Sequence, residues 1–285
     1  MTRELVNEFV SRSPHPRLRP FVEMYTGYRI AGVTPGTHAG LPSRSLTMIV
    51  AFDDPLVVEH GSGTQRSRRR FWAMLGGLHT SPALVHHPGH QSGVQLRITP
   101  QGAAALFGTP AAELAHEVIP LDAVFPEATV ELVDRLSAES TWSARWAVLD
   151  DILLRVMTAG DGMAPEVDAA WAIMAQTNGL VGIEELASRV GWSRRNLTVR
   201  FKQQFGLSPK AMARVMRFEH AEKLLRLPTR PSLASVAHAC GYADQAHMTR
   251  EWVEFAGSPP TTWMTDETIP FVQDEDEPPP SEWSS

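Results

Sequence analysis

The chain of 285 residues carries 26 basic and 32 acidic side chains, a net charge of −6, with 43% hydrophobic residues; this excludes a disordered chain and suits about two globular domains. No run of about 18 apolar residues occurs, which excludes a membrane-spanning helix, and the single cysteine, Cys240, excludes an internal disulfide or a Cys-rich zinc site. The opening Met1-Thr2-Arg3-Glu4-Leu5-Val6-Asn7-Glu8 lacks an apolar segment, so no secretory signal and a cytoplasmic location are expected.

In chain order, short apolar runs predict strands at Phe21–Ile30, Leu46–Phe52, Leu56–Glu59, Phe71–Leu75, Ala83–His86 and Gly93–Thr99. Thr34-Pro35-Gly36, Asp53-Asp54-Pro55, Gly61-Ser62-Gly63 and Pro88-Gly89 separate them as breakers. Arg66, Arg68, Arg69 and Arg70 read as a basic, solvated hairpin tip, and Trp72, Trp142 and Trp146 as core. His86-His87-x2-His90, with His79 nearby, is the one metal-like cluster; these histidines are weak candidates, because a usual site needs a further ligand in register. After Pro100 the spacing turns helical, at Gln101–Leu106, Ala128–Ser137 and Trp142–Met157. The break at Ala159-Gly160-Asp161-Gly162 ends an α+β domain over 1–160, expected to bind an effector or to dimerise.

Beyond it lies an internal duplication. Ile183, Leu186, Ala187 and Val190 mark one helical face that Gly191 ends. Ser193 then caps a second helix whose Leu197, Phe201 and Phe205 face inward, up to Gly206. Leu233, Val236, Ala237 and Cys240 repeat the first helix and Gly241 its end; Asp244 caps a helix with Met248, Trp252 and Ala256 inward, closed by Gly257. Each copy is a helix-turn-helix, the first over about 183–205 and the second over about 233–256. Ser208-Pro209 starts a joining helix to about Leu227, with Val215, Phe218, Glu222 and Leu225 along one side. Residues 165–265 hold 12 basic against 9 acidic residues, whereas 266–285 hold 7 acidic and none basic, an acidic tail expected to be disordered.

Opposite the apolar stripe, the second helix of the first copy presents Ser193, Arg194, Arg195, Thr198, Val199 and Lys202. The second copy presents Gln245, Ala246, His247, Thr249 and Arg250. Such helices enter the major groove, where Arg pairs with guanine, Gln with adenine, and a Thr methyl meets thymine.

The residues Ile183-x2-Leu186-Ala187-x3-Gly191, Leu197-x3-Phe201, Gly206-x-Ser208-Pro209, Arg217-x3-Ala221-x2-Leu224-Leu225, Val236-Ala237-x3-Gly241-Tyr242-x-Asp244-Gln245, Arg250-x-Trp252 and Gly257-x2-Pro260 carry a specific pattern. Over 166–265 the chain resembles the DNA-binding domain of the AraC/XylS family of bacterial transcription regulators. The resemblance implies seven helices, two of them recognition helices, with Arg195, Thr198 and Val199 facing bases in one and Gln245, Ala246, Thr249 and Arg250 in the other. Val199 stands where many relatives carry a polar or basic group, and Trp252 where Phe is usual. The N-terminal part, through Pro88-Gly89-x3-Gly93-Val94, Gln95-Leu96-Arg97-Ile98-x-Pro100-x-Gly102 and Leu106-Phe107-Gly108-Thr109-Pro110-Ala111-x-Glu113-Leu114, resembles a sensor-type module of such regulators.

The reading is an effector-responsive transcription regulator, not an enzyme, that binds promoter DNA without a cofactor and off the membrane. A homodimer and contact with RNA polymerase are further expected partners. Its alternatives are a metal-binding N-terminal sensor or enzyme built on His86, His87 and His90, and a non-specific architectural DNA binder.

Overall fold

Alternating apolar and polar residues give the N-terminal part of this computed structural model two antiparallel sheets; the structure describes residues 5–61, 67–158, 163–229 and 231–266. Its strands are β1 (Val6–Arg12), β2 (Val22–Ala31), β3 (Gly36–Gly40), β4 (Leu46–Ala51), β5 (Leu56–His60), β6 (Ser67–Phe71), β7 (Ala73–Gly76), β8 (Ala83–His87), β9 (His90–Ile98) and β10 (Val118–Pro120). One sheet runs β1-β2-β9-β4-β7-β10 and the other β3-β8-β5-β6. The α+β expectation holds, and five of the six predicted strands are present as single strands.

Helices α1 (Pro100–Phe107), α2 (Ala111–Leu114), α3 (Pro126–Ala138) and α4 (Trp142–Val156) complete this part. They cover one face of the larger sheet, where Tyr25, Met48, Val50, Leu96 and Ile98 share a core with Leu132, Leu136, Trp146 and Leu149. Tyr25 stacks on Trp146 at 5.9 Å, and its hydroxyl donates to Asp150 at 3.0 Å. Burial, reinforced by the Asp150 charge, pushes the Tyr25 phenol above its usual range. Trp142 lies so close to β2 that a Cβ on Gly27 would sit 2.4 Å from its ring, so glycine is required there. The other face of the sheet looks across to β3, β8, β5 and β6.

The run Phe71–Leu75, expected as one strand, is two. It breaks at Trp72, whose carbonyl accepts from the Ala51 amide, and the chain passes there from the smaller sheet to the larger. Apolar content alone does not register such a corner, because Phe71, Ala73, Met74 and Leu75 on either side are buried, whereas Trp72 itself, expected in the core, turns outward at the corner and is 49% exposed. Arg68, Arg69 and Arg70 lie on the edge strand β6 rather than on a hairpin tip, and Arg69 covers the Phe71 ring at 5.2 Å. Arg66 falls outside the described residues, as do the expected break at 159–162 and the acidic tail beyond 266.

The histidines do not converge on a metal. His86 and His87 are consecutive on β8 and point to opposite faces. His86 meets Glu59 at 3.3 Å and Thr37 at 2.9 Å, and His90 meets Asp54 at 2.6 Å. Among the described residues no group of three or more His, Cys, Asp or Glu could hold a metal ion. Nor is any helix long and apolar enough to cross a membrane.

The C-terminal part is helical: α5 (Pro165–Gln176), α6 (Ile183–Arg189), α7 (Arg194–Phe205), α8 (Pro209–Arg226), α9 (Leu233–Ala239), α10 (Gln245–Ala256) and α11 (Pro260–Asp266). The implied number of helices is met among the described residues.

Inside the sandwich, burial lowers the pKa of His38 and of His79 to about 4, with nearby histidines adding to it at His38. Both rings are therefore neutral in the fold and take up protons in the unfolded chain first. Stability from them is complete above the ordinary value of 6.5 and is lost as the pH falls from there toward 4. Thermal unfolding at pH 7 and pH 5 should show this loss, and His38→Gln should lose about 1–2 kcal/mol less between the two. An equal loss in variant and wild type would contradict it.

Candidate nucleic-acid interface

Two local rules build each helix-turn-helix. Ser193 accepts from the Asn196 amide and Asp244 from the His247 amide, so each second helix starts at its expected cap. Gly206 and Gly257 close those helices at φ +76° and +81°, where a Cβ would be strained. The expected inward residues Leu197, Phe201, Phe205, Met248, Trp252 and Ala256 are all buried. In the first unit Trp171 of α5 packs on Phe205 at 4.5 Å and on Phe201 at 6.1 Å.

The joining helix α8 lies between the units. Its Phe218 packs edge-on against Trp252 at 4.8 Å and against Phe255 at 5.1 Å, both from α10. A clamp that sequence reading missed fixes the same pair of helices: Arg214 of α8 donates to Glu251 at 2.7 Å and also binds Glu254. Glu251 is only 7% exposed, with that guanidinium as its nearest cation and the His247 ring at 3.6 Å on the same helix. The i, i+3 spacing of Glu251 and Glu254 placed them on one helical face, but nothing local named a partner 37 residues earlier.

The predicted contact residues divide into three groups. Arg195, Val199, Lys202, Gln245, Ala246 and Arg250 are exposed, and Arg195, Lys202 and Arg250 have no ion pair among the described residues. Val199, 46% exposed, is an apolar side chain on an otherwise polar face. Arg194, also exposed, reaches Glu184 at 3.5 Å, and Thr198 donates its hydroxyl to the Arg194 carbonyl at 2.8 Å. Thr249 is half-buried. His247 turns back into the fold, accepting from the Ala243 amide at 3.3 Å with its ring edge-on to Tyr242 at 5.4 Å. Ser193 is committed to its cap.

The two units are attached to the rest of the chain differently. The first recognition helix abuts α2: a Cβ on Gly206 would come 2.2 Å from the Ala115 side chain. The joining helix meets the sandwich through Glu219, 3.7 Å from Arg44 in the β3–β4 connection. Burial raises the Glu219 pKa against the opposing pull of Arg44 and Lys223.

Between the sheets lies a cavity of about 80 Å³, lined by Leu41, Ile49, Val58 and Met74 among others, with His38, His79 and Gln95 as polar neighbours. Leu41 also lines the crevice between the sandwich and α8, with Pro42, Ser43, Phe218 and Glu219.

Comparison with known proteins follows this geometry. Residues 186–266 match the family model described as "Helix-turn-helix domain", and residues 11–120 match "Domain of unknown function (DUF6597)". Over 68 residues the chain is 34% identical to the "Uncharacterized HTH-type transcriptional regulator YbfI" of Bacillus subtilis, a match spanning 24% of this chain and 24% of that relative. Two structures of ToxT from Vibrio cholerae share the overall fold. One has a TM-score of 0.52 at 8% identity, covering 92% of this chain and 99% of that one. The other, with an unsaturated fatty acid bound, has a TM-score of 0.50 at 9% identity, covering 92% and 96%. These likenesses bear out the resemblance read from the motifs.

The clamp makes an energetic prediction. Arg214→Met leaves buried Glu251 with only the His247 ring near it and should cost about 3–5 kcal/mol in urea unfolding. Arg189→Met breaks only the exposed pair with Glu185 and should cost under about 0.5 kcal/mol. Equal losses from the two would contradict the assignment.

Proposed function

We propose that this chain, a DNA-binding transcription regulator of the AraC/XylS type, reads two adjacent major grooves with α7 and α10, under the control of a small effector held by the N-terminal sandwich. The observation that carries the DNA reading is the exposed pair of recognition faces, each with cations free of internal ion pairs, on helices attached to one rod. The 18 residues of α8 span about 27 Å, close to the roughly 34 Å of one duplex turn.

In this reading Arg250 and Arg195 donate in pairs to guanine O6 and N7, and Gln245 pairs with adenine. Val199 offers an apolar surface suited to a thymine methyl, so the first unit adds an apolar contact beside Arg195 where the second carries Arg250. Lys202 and the amides at the start of α7 position the phosphates. His247, tied to Tyr242 and Ala243, takes no base.

The effector reading rests on Leu41. It forms wall for both the sandwich cavity and the crevice against α8, so a ligand that displaces it pushes on the helix carrying both units. The fatty acid of the ToxT structure supports a ligand-responsive reading of this fold without naming the ligand here.

Site selection from a random DNA library, run in parallel on wild type and Arg250→Ala, tests the reading. Wild type should select a motif spanning two grooves, and the variant should lose about 1–3 kcal/mol of discrimination at one base pair. A variant that binds every sequence as wild type does would remove Arg250 from the base-reading set. An unselective pool with a steep salt dependence would indicate architectural binding instead.

A further inference from the structure

The cavity between the sheets has an unusual lining. Its walls come from both sheets: Ile30, Thr47, Ile49, Met74, Gly76, Gln91 and Gln95 from the larger, and His38, Leu56, Val58, Ala83 and Val85 from the smaller. Among the described residues that line it, none is Asp, Glu, Lys or Arg. The two histidines are uncharged at neutral pH, and His79 donates from Nδ1 to the Ser81 carbonyl at 2.6 Å. A charged guest would therefore lose its hydration with no counter-charge to meet it, at a cost of several kcal/mol.

Gln95 supplies a buried amide donor to this wall. Gln95 is 6% exposed, and its amide nitrogen has no hydrogen-bond partner. An unmet buried donor costs about 1–3 kcal/mol, and native interiors hold few voids larger than a water. The unmet donor belongs to a side chain of the cavity wall. At about 10–15 Å³ for each water-sized group, 80 Å³ accommodates about six such groups.

We propose that the sandwich cavity binds a small, electrically neutral and mainly apolar molecule of about six to eight non-hydrogen atoms whose single acceptor takes the hydrogen bond of Gln95. This deepens the effector reading above, and rests on it only for the consequence of binding, not for the chemistry of the guest. Gln95 selects for an acceptor, and the uncharged walls select against acids and amines of the same shape.

Four ring probes of seven or eight non-hydrogen atoms test it on the full chain by calorimetry at pH 7.5: cyclohexanone, methylcyclohexane, cyclopentanecarboxylate and cyclohexylammonium. Cyclohexanone should bind best, methylcyclohexane more weakly, and the two ions not at all. Gln95→Leu should weaken cyclohexanone about tenfold and leave methylcyclohexane unchanged. Ala83→Leu and Val85→Phe, each checked for a native melting transition, fill the cavity and should abolish binding of both. The proposal is overturned if none of the probes binds, if an ion binds as well as the ketone, if Gln95→Leu leaves the ketone untouched, or if folded cavity-filling variants still bind it. A separate arm measures DNA affinity with and without saturating cyclohexanone. Binding in the cavity with no change in DNA affinity would sink the effector reading and leave the ligand class standing.

Discussion

The rest of the architecture depends on the burial of α8 on more than one side. An isolated helix of 18 residues is marginal in water, and helical stability in proteins comes chiefly from packing. Here Met212, Val215, Met216, Phe218, Ala221 and Leu225 are all buried, more than one amphipathic stripe would provide. The contact of Phe218 with Trp252 and Phe255 sets the place of the second recognition helix. Glu219 with Arg44 joins the same helix to the sandwich. A shift of α8 must therefore be felt by α10 and by the sandwich wall together, because close-packed interiors rearrange rather than compress.

The duplicated units differ in what holds them. The first is seated on α2 through a glycine that leaves no room for a side chain, and on Trp171 through stacked rings. The second is held by a buried ion pair as well as by aromatic packing. Aromatic burial is tolerant of small displacements, whereas a buried carboxylate needs its partner within hydrogen-bond distance. The ion pair thus gives the second unit a stricter geometry, in keeping with Arg250 on its exposed face, while the first presents the apolar Val199 at the corresponding place.

The legibility of this chain in sequence follows the range of the interactions. Caps and terminal glycines act over three or four residues, so the roles of Ser193, Asp244, Gly206 and Gly257 are legible in the sequence alone. The long apolar strands β2, β4 and β9 were equally plain. Strands β1, β3 and β10 were not, being short or at sheet edges, where pairing with a distant strand does the work that local pattern does elsewhere. The exchange of sheets at Trp72 was hidden for the same reason. Of the expected contact residues, His247 has its ring against Tyr242, five residues earlier across a turn, and a helical wheel does not show that.

The amino-acid sequence by itself determined the duplicated helix-turn-helix, its caps and turns, and which residues lie on its exposed faces, since each follows from periodicity and conformational preference within a few residues. Only the tertiary structure decided which of those residues lack internal partners, how α8 is clamped to α10, and where a cavity without charged walls shares Leu41 with the crevice along α8. Those depend on atoms far apart in the chain, such as Arg214 with Glu251 and Leu41 beside Phe218, whose proximity is set by packing rather than by sequence neighbourhood.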